Sequence, residues 1–390
     1  MRVGIYNEPS GTLGGSEYLV SVMAHAVARR HDVEIVHHNE ALDLRHLQDL
    51  SGLDLSGVSL RQVPREERPD PRSPSGFRYL RTRYRRERAW HAALSRPYDV
   101  FMASTHGVPP FCHARRGVLL TLFPAGDRHT AWPWNEPDGS PKGRLRQACV
   151  EWMWARRFAT YQQRFSISEY TRQWTKDWWG VDTKILYPPV DTEFPEAEKS
   201  NLVVSVGRFS AYSPSKRQLD TMAAYRDLKT NGLDGWCYHS VGGLTEEPAA
   251  QAYFNEVSRV AADCGGRVVP NAPRATLRAL LARAKLFWHA AGYAAASTAG
   301  PFEAEHFGIA TVEAMAAGAV PLVFAHGGQT EIVQHERSGF LWRTLPELQQ
   351  YTMRLVQDDR LRAQMAAAAR ARAAMFSRTA FESAVEQIVG

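Results

Sequence analysis

Short apolar runs alternate with longer amphipathic stretches along the chain, and this alternation predicts the fold class. The opening MRVGIYN has the pattern of a strand, and Leu19, Met23, Ala26 and Val27 then recur at the spacing of one helix face. DVEIVHH follows as a second apolar run, which completes the strand–helix–strand order of a parallel sheet. Further strands in this half are predicted at 98–104, 117–123 and 163–168.

A proline-bearing segment, LYPPVDTEFPEAEKSN at 186–201, predicts a linker, because proline interrupts both helices and sheets. A second series of apolar runs and amphipathic stretches begins directly after it. Its strands are predicted at 202–206, 236–241, 266–269, 285–289 and 320–324. The pattern therefore indicates two doubly wound α/β domains, whose sheets bind ligands at the carboxyl ends of their strands.

Composition is consistent with this interpretation. A length of 390 residues suits two domains, and no apolar run is long enough to cross a membrane. The N-terminal residues lack the pattern of a secretory signal, and the four cysteines are scattered, so we expect a cytoplasmic protein with reduced thiols. A loop is predicted at 62–76, which is rich in proline, arginine and aspartate.

The excess positive charge is concentrated in one segment. Residues 61–96 contain eleven arginines and four acidic residues, a net charge of +7, whereas the whole chain carries +6. Within Arg78–Arg88 the arginines are interleaved with Tyr79, Leu80 and Tyr84. This pattern fits a solvated helix, or a helix that contacts an anionic membrane at its basic and aromatic residues. No nucleic-acid-reading module is recognisable, so nucleic acid is not expected as a partner.

The stretch EHFGIATVEAMAAG carries the strongest chemical signal. Glu305 and Glu313 are eight positions apart, a spacing that would not put both on one face of a continuous helix. We therefore predict a loop at Glu305 and a helix from Ile309 to Gly318, with Glu313 about one turn inside it. Free N–H groups at the helix start would lie between the two carboxylates. Two interpretations of the carboxylates are open. They bind a long ligand that has hydroxyl groups at both ends and a phosphate between them, or they are two solvated surface charges.

This stretch resembles the E-x7-E signature of retaining GT-B glycosyltransferases of the family 4 type. FWHAAGY before it, GGQTEIV after it, the glycine-bearing GTLGGSE and VVSVGRFSAYSPSKRQ are also similar to that family. The similarity covers most of 1–20 and 163–345 and is weaker in 40–160.

The resemblance implies a GT-B fold, in which two Rossmann-like doubly wound α/β domains face each other across a cleft. The N-terminal domain, 1–190, would bind the acceptor, and the C-terminal domain, 191–375, would bind the nucleotide sugar. The final helix, 376–390, would pack back on the first domain.

The family's site residues can be transferred position by position. Glu313 would accept hydrogen bonds from the donor ribose, and Glu305 would face the donor sugar. Arg208 and Lys216 match the paired cations that stabilise the departing diphosphate, and the chain has no DxD pair for a metal ion. Four backbone positions would bind sugar hydroxyls or phosphate: His306, Phe307, Gly308 and Ile309.

Three further positions carry weaker signals. Gly14 and Gly15 would let the backbone approach a phosphate or an acceptor, although a tight turn explains them as well. The chain lacks a GxGxxG pattern, so no nicotinamide site is expected. Asn271, in VVPNAP, lies where the family seats the nucleobase.

One position departs from the family pattern. Leu122 stands where the family commonly has a histidine after a first-domain strand. His106 and His289 are the nearby candidates for its role, and each fits a core or loop histidine equally well. The departure leaves an acid–base role open, but a mechanism in which the departing phosphate takes the acceptor proton does not need that histidine.

Two functions are therefore predicted, in this order. The first is a metal-independent, retaining glycosyltransferase that moves one hexose from a UDP- or GDP-linked donor to a lipid-linked glycan or a small molecule. The second is a catalytically degenerate nucleotide-sugar-binding protein on the same scaffold. No cofactor is expected in either case, and the protein would be cytoplasmic, with peripheral membrane contact through Arg78–Arg88.

Overall fold

The computed structural model describes residues 1–7, 14–40, 42–64, 77–126, 140–210, 215–293 and 300–390, without the side chains of 77–80, 83 and 146. The chain divides into two compact units. Unit 1 comprises 1–189 and 381–390, and unit 2 comprises 190–380. Each unit is an α/β sandwich around a parallel sheet, as the alternating pattern predicts.

Unit 1 contains a seven-stranded sheet in the order β3-β2-β1-β4-β5-β6-β7, in which every pair of neighbours is parallel. Its strands are β1 (Arg2–Asn7), β2 (Asp32–His37), β3 (Val58–Gln62), β4 (Val100–Thr105), β5 (Arg116–Thr121), β6 (Gln163–Ser166) and β7 (Lys184–Ile185). Its helices are α1 (Gly15–Ala28), α2 (Leu44–Ser51), α3 (Phe77–Ser95), α4 (Pro141–Phe158) and α5 (Glu169–Trp179). β4 is buried along its whole length, as expected for an interior strand of a parallel sheet.

Unit 2 contains a six-stranded parallel sheet in the order β10-β9-β8-β11-β12-β13. Its strands are β8 (Ser200–Val206), β9 (Cys237–Gly242), β10 (Arg267–Pro270), β11 (Ala284–His289), β12 (Val320–Phe324) and β13 (Phe340–Trp342). Its helices are α6 (Gln218–Thr230), α7 (Pro248–Cys264), α8 (Arg274–Arg283), α9 (Ile309–Ala316), α10 (Gln329–Ile332), α11 (Leu345–Gln357) and α12 (Asp359–Ala373).

The last helix, α13 (Arg378–Val389), belongs mostly to unit 1. The His25 ring on α1 hydrogen-bonds the Glu382 carboxylate at 3.0 Å, and the Arg116 guanidinium donates to the Val389 carbonyl. Both contacts attach this helix to unit 1, although the whole of unit 2 lies between the helix residues concerned and the rest of unit 1 in the sequence.

The eight predicted strands that follow the opening βαβ unit all form, with ends shifted by up to two residues. Three strands were not predicted: β3, β7 and β13. β3 mixes exposed and partly buried positions at the edge of its sheet, and the other two contain two and three residues, so none gives a clear apolar run. The loop prediction at 62–76 falls almost entirely outside the described residues. Within the described residues, no helix has the length and hydropathy needed to cross a membrane.

Candidate active site

The E-x7-E stretch forms the predicted loop and helix. Glu305 lies in the loop, and α9 begins at Ile309 and ends just before Gly318. Gly308 precedes the helix with φ +124°, a backbone conformation that side chains disfavour. A Cβ atom at Gly308 would also come within 2.4 Å of the Gln329 amide nitrogen. Both constraints require glycine here, so the loop backbone lies directly against the Gln329 side chain.

The GGQTEIV stretch packs against the same loop. The Gly328 N–H donates to the Glu305 carbonyl at 2.8 Å, and a Cβ atom at Gly328 would lie 2.6 Å from the His306 carbonyl oxygen. Gln329 is fully buried behind Gly308. Two motifs that the sequence presents separately therefore form one backbone cluster at the carboxyl ends of β11 and β12.

Glu305 is the centre of a hydrogen-bonded triad. Its Oε2 atom accepts hydrogen bonds from Lys216 Nζ at 2.5 Å and from His289 Nε2 at 3.0 Å. Burial by itself would raise the pKa of Glu305, but the positive charge of Lys216 and the hydrogen bond from His289 outweigh it and hold the pKa well below its usual range. Burial also lowers the pKa of His289. The site therefore contains an ionised carboxylate between a cation and a neutral imidazole.

Arg208 follows the end of β8 and has an exposed side chain. The buried Gln218 side chain fixes the backbone beneath it by donating to the carbonyl oxygens of Gly207 and Arg208, at 3.0 Å each. Lys216 precedes α6 on the same loop. Both predicted cations therefore lie between β8 and α6, and the backbone is fixed at Arg208.

Glu313 has an environment opposite to that of Glu305. Burial raises its pKa to about 7, although Arg274 and Arg278 lower it in part and Asp191 opposes them. The two arginines form ion pairs with Asp191, and the Arg274 contact measures 3.2 Å. Such a carboxyl accepts a hydroxyl hydrogen bond more strongly when it is ionised than when it is protonated.

Asn271 lies in a left-handed turn directly after β10, with φ +48°. Its side chain brackets the Leu244 backbone, because Oδ1 accepts from the Leu244 N–H at 2.8 Å and Nδ2 donates to the Leu244 carbonyl at 3.1 Å. The side chain therefore joins two loops of unit 2. Contact with a nucleobase stays a prediction for this residue.

The glycine turn of unit 1 is held by Glu17, which is not among the predicted site residues. The Gly14 N–H donates to Glu17 Oε2 at 2.8 Å, and Gly15 is the first residue of α1. The Asn7 amide donates to the other Glu17 oxygen at 3.3 Å, and Glu17 is 5% exposed. A buried carboxylate thus fixes the start of α1. The signal in the sequence is Glu17 three residues after Gly14, the spacing of a capping box.

The histidine candidates separate between the two units. Leu122 is buried directly after β5, and His106 is exposed directly after the neighbouring strand β4, where Thr105 pairs with Thr121. His106 therefore lies next to the position that lacks the family histidine. His289 lies in unit 2 and contacts Glu305. The sequence identifies Glu305, Lys216 and His289 one by one but not their contact.

Two family models match the chain in succession. Residues 13–194 match the model described as Glycosyltransferase Family 4, and residues 190–372 match the model described as Glycosyl transferases group 1. A curated relative, GDP-Man:Man(3)GlcNAc(2)-PP-Dol alpha-1,2-mannosyltransferase of Dictyostelium discoideum, is 27% identical over 194 residues, which are 46% of this chain and 36% of the relative. The match thus spans about a third of that protein's length.

Solved structures resemble the whole chain. HepE of Anabaena in complex with UDP has a TM-score of 0.67 at 18% identity and covers 100% of this chain and 99% of that one. Sucrose-phosphate synthase of Thermosynechococcus elongatus has a TM-score of 0.66 at 14% identity, with 100% and 98% covered. WaaG, a glycosyltransferase involved in lipopolysaccharide biosynthesis, has a TM-score of 0.60 at 16% identity, with 100% of both chains covered.

At these identities the solved structures show the fold, and the family models show the family. The chain therefore belongs to the group 1, family 4-type glycosyltransferases and has their GT-B fold.

Proposed function

We propose that the protein is a metal-independent, retaining glycosyltransferase that moves one hexose from a nucleoside-diphosphate donor to an acceptor. The observation that carries the proposal is the contact of Lys216, Glu305 and His289 beside the start of α9. Cleaving the donor leaves a diphosphate with new negative charge, and Lys216 and Arg208 would stabilise it as fixed cations. Glu305 would accept hydrogen bonds from the sugar, and Glu313 from the ribose.

The similar proteins support nucleotide-sugar donors of two kinds. HepE was crystallised with UDP and with UDP-glucose, and the Dictyostelium relative is named for a GDP-mannose donor and a dolichol-linked glycan acceptor. We therefore propose UDP or GDP as the nucleotide and a lipid-linked glycan as the first acceptor to test. A small-molecule acceptor is the other candidate.

The test is turnover with a panel of UDP- and GDP-sugars, in which slow hydrolysis of the donor reports activity before the acceptor is known. Nuclear magnetic resonance of the product from an α-linked donor then reports the anomeric configuration. An α product supports retention, and a β product rejects it. The buried Leu122 favours the second candidate function, a catalytically degenerate binding protein, and donor binding without any hydrolysis or transfer would establish that alternative.

We also propose peripheral contact with an anionic membrane, which would suit a lipid-linked acceptor. Four exposed arginines on α3 and two exposed apolar side chains on α4 form what we call the basic surface: Arg81, Arg85, Arg86, Arg88, Leu145 and Trp152. Leu145 and Trp152 are two helical turns apart and share one face of α4.

Aromatic contacts connect the two helices of the basic surface. The Tyr84 and Trp152 rings are 6.0 Å apart, and the Arg88 guanidinium lies 5.6 Å from the Tyr84 ring centre. Arginine beside exposed tryptophan and leucine is a composition suited to lipid headgroups, where tryptophan favours the interface and each basic residue contributes about 1 kcal/mol.

A further inference from the structure

The two partners of Glu305 bind the same carboxylate oxygen, Oε2. Within the described part of the chain, no hydrogen bond to the other oxygen, Oε1, is formed. The carboxylate is therefore held from one side and has one oxygen available to a ligand. Its orientation depends on how firmly each partner is itself held.

The two partners differ in this respect. Lys216 lies in a loop, and its charge is at the end of a flexible side chain that is 22% exposed. This charge is attracted to any diphosphate that enters the site. His289 is 5% exposed and ends β11, an interior strand in which it pairs with Val323 of β12. A bound diphosphate carries more negative charge than the carboxylate, so Lys216 is the partner that would move towards it.

The contacts also assign the imidazole tautomer of His289. Nε2 faces an ionised carboxylate and must carry the proton to donate to it. Nδ1 is buried and has no hydrogen-bond partner among the described residues, so a second proton there would be an unsatisfied donor. A neutral imidazole with Nε2–H fits both ring nitrogens.

We propose, on the basis of the proposed function, that His289 is a positioning residue for the donor sugar. It holds Glu305 Oε2 when the donor diphosphate draws Lys216 away, and so keeps Oε1 turned towards the sugar hydroxyls. His289 therefore acts on the sugar half of the donor and not on its nucleoside diphosphate. Loss of His289 would therefore weaken recognition of the sugar and leave recognition of the nucleoside diphosphate unchanged.

Calorimetry with matched pairs of ligands tests this division. The wild type and a His289→Leu variant are titrated with UDP and UDP-glucose, and with GDP and GDP-mannose, and the pair that the wild type binds is used further. In His289→Leu, the affinity for the nucleoside diphosphate should stay within about twofold, whereas the affinity for the nucleotide sugar should fall about tenfold, the effect of one lost charge-assisted hydrogen bond. Donor hydrolysis should fall by at least as much.

Three further variants exclude a general effect on the fold. His289→Gln places an amide donor near the position of Nε2 and should restore most of the sugar recognition. His239→Leu is the matched control, because His239 is a half-buried histidine in the middle of β9 and has no described contact with Glu305. In a Glu305→Gln background, His289→Leu should have little further effect, since both residues act through one carboxylate. Melting temperatures of all variants are measured alongside.

The outcomes separate clearly. A selective loss of sugar recognition, rescued by His289→Gln and absent in the Glu305→Gln background, supports the inference. Equal weakening of nucleotide and nucleotide-sugar binding, no change in either, or full additivity with Glu305→Gln overturns it while the proposed function stands. If the wild type binds no ligand of either pair, the proposed function fails and the inference fails with it.

Discussion

Glu305 and Glu313 belong to one short motif, yet the protein holds the pKa values of their carboxyl groups on opposite sides of the usual value. Lys216 and His289 keep Glu305 ionised against the effect of burial. Burial dominates at Glu313 and raises its pKa to about 7, because the nearby arginines are shared with Asp191. Two chemically identical side chains thus have different charges at neutral pH, which follows from their partners and not from the spacing of the motif.

The pKa of Glu313 predicts a pH dependence of nucleotide binding. The ionised carboxylate accepts a ribose hydroxyl hydrogen bond more strongly than the neutral acid does, and the ionised form becomes dominant only above about pH 7. Affinity for UDP or GDP should therefore rise as the pH increases through about 7 and level off above it. Calorimetry of the wild type and of Glu313→Gln measures this, and the variant should bind more weakly with a flatter profile. Identical profiles for the two proteins would contradict the proposed role of Glu313.

The two cations predict that transfer does not need a divalent metal ion. Activity should survive an excess of chelator, because Arg208 and Lys216 would supply the positive charge that a metal supplies in other transferases. Lys216→Gln and Arg208→Gln should each lower kcat more than they raise KM, since the charge they meet grows in the transition state. Loss of activity in chelator that Mg²⁺ or Mn²⁺ restores would reject this mechanism.

At the scale of elements, the basic helix α3 is attached to the core of unit 1 by a buried ion pair. Arg157 of α4 contacts Glu87 of α3 at 2.8 Å, and the two side chains are 6% and 7% exposed. The Arg157 guanidinium also donates to the Pro109 carbonyl at 2.9 Å and lies 4.5 Å from the Phe111 ring centre. The pair fixes the side of α3 that faces the protein, and the exposed arginines of that helix are displayed as a result.

This ion pair predicts a large loss of stability on substitution of one partner. Glu87→Gln leaves the buried guanidinium of Arg157 without its counter-charge, and we expect a decrease of about 3–5 kcal/mol in the free energy of unfolding. Lys176→Met is the matched control, because Lys176 pairs with Asp182 at 3.1 Å while both side chains are exposed. The control should cost less than about 1 kcal/mol in the same denaturant titration. Equal costs would show that the Glu87 pair contributes no more than a surface contact.

The basic surface predicts salt-sensitive binding to vesicles. Wild-type protein should sediment with vesicles that contain anionic lipid and not with neutral ones, and binding should fall as salt screens the exposed charges. Replacement of Arg81, Arg85 and Arg86 by glutamine should release the protein and leave slow donor hydrolysis unchanged. Replacement of Arg115, an exposed arginine outside α3 and α4, is the control. If the wild type ignores anionic vesicles at low salt, α3 is a solvated helix and a soluble acceptor is favoured.

The sequence predicts a strand well where its apolar run is long and buried, and poorly where the strand is short and lies at the edge of a sheet. β4, β11 and β12 are nearly continuous apolar runs, and their positions follow from sequence alone. β13 has three residues and pairs with β12 at the edge of its sheet, so its identity as a strand depends on a tertiary contact. The same limit applies to the site. Lys216 and Glu305 are 89 positions apart in two loops, and no local pattern brings them together.

At the scale of the whole molecule, Arg208, Lys216 and the E-x7-E residues 305–313 of the proposed donor site all belong to unit 2. Ligand binding should therefore stabilise that unit in particular. With UDP or GDP at a hundredfold excess over its Kd, the stabilisation is about 2.7 kcal/mol. Hydrogen exchange should slow first in α9, in the loop before it and in the GGQTEIV turn. Equal slowing across the sheets of both units would instead indicate a general effect on the protein.

The return of α13 to unit 1 has a consequence for the order in which the protein is made. His25 and Glu382, which hydrogen-bond each other, are 357 positions apart. At a synthesis rate of about 5–20 residues per second, the partner of His25 emerges about 20–70 s after it. Phe381, Val385 and Val389 of this helix are buried in the folded protein, and they are synthesised only after the whole of unit 2 has been translated. Unit 1 therefore stays incomplete while unit 2 is made, and we expect its need for a chaperone to be greatest in that interval.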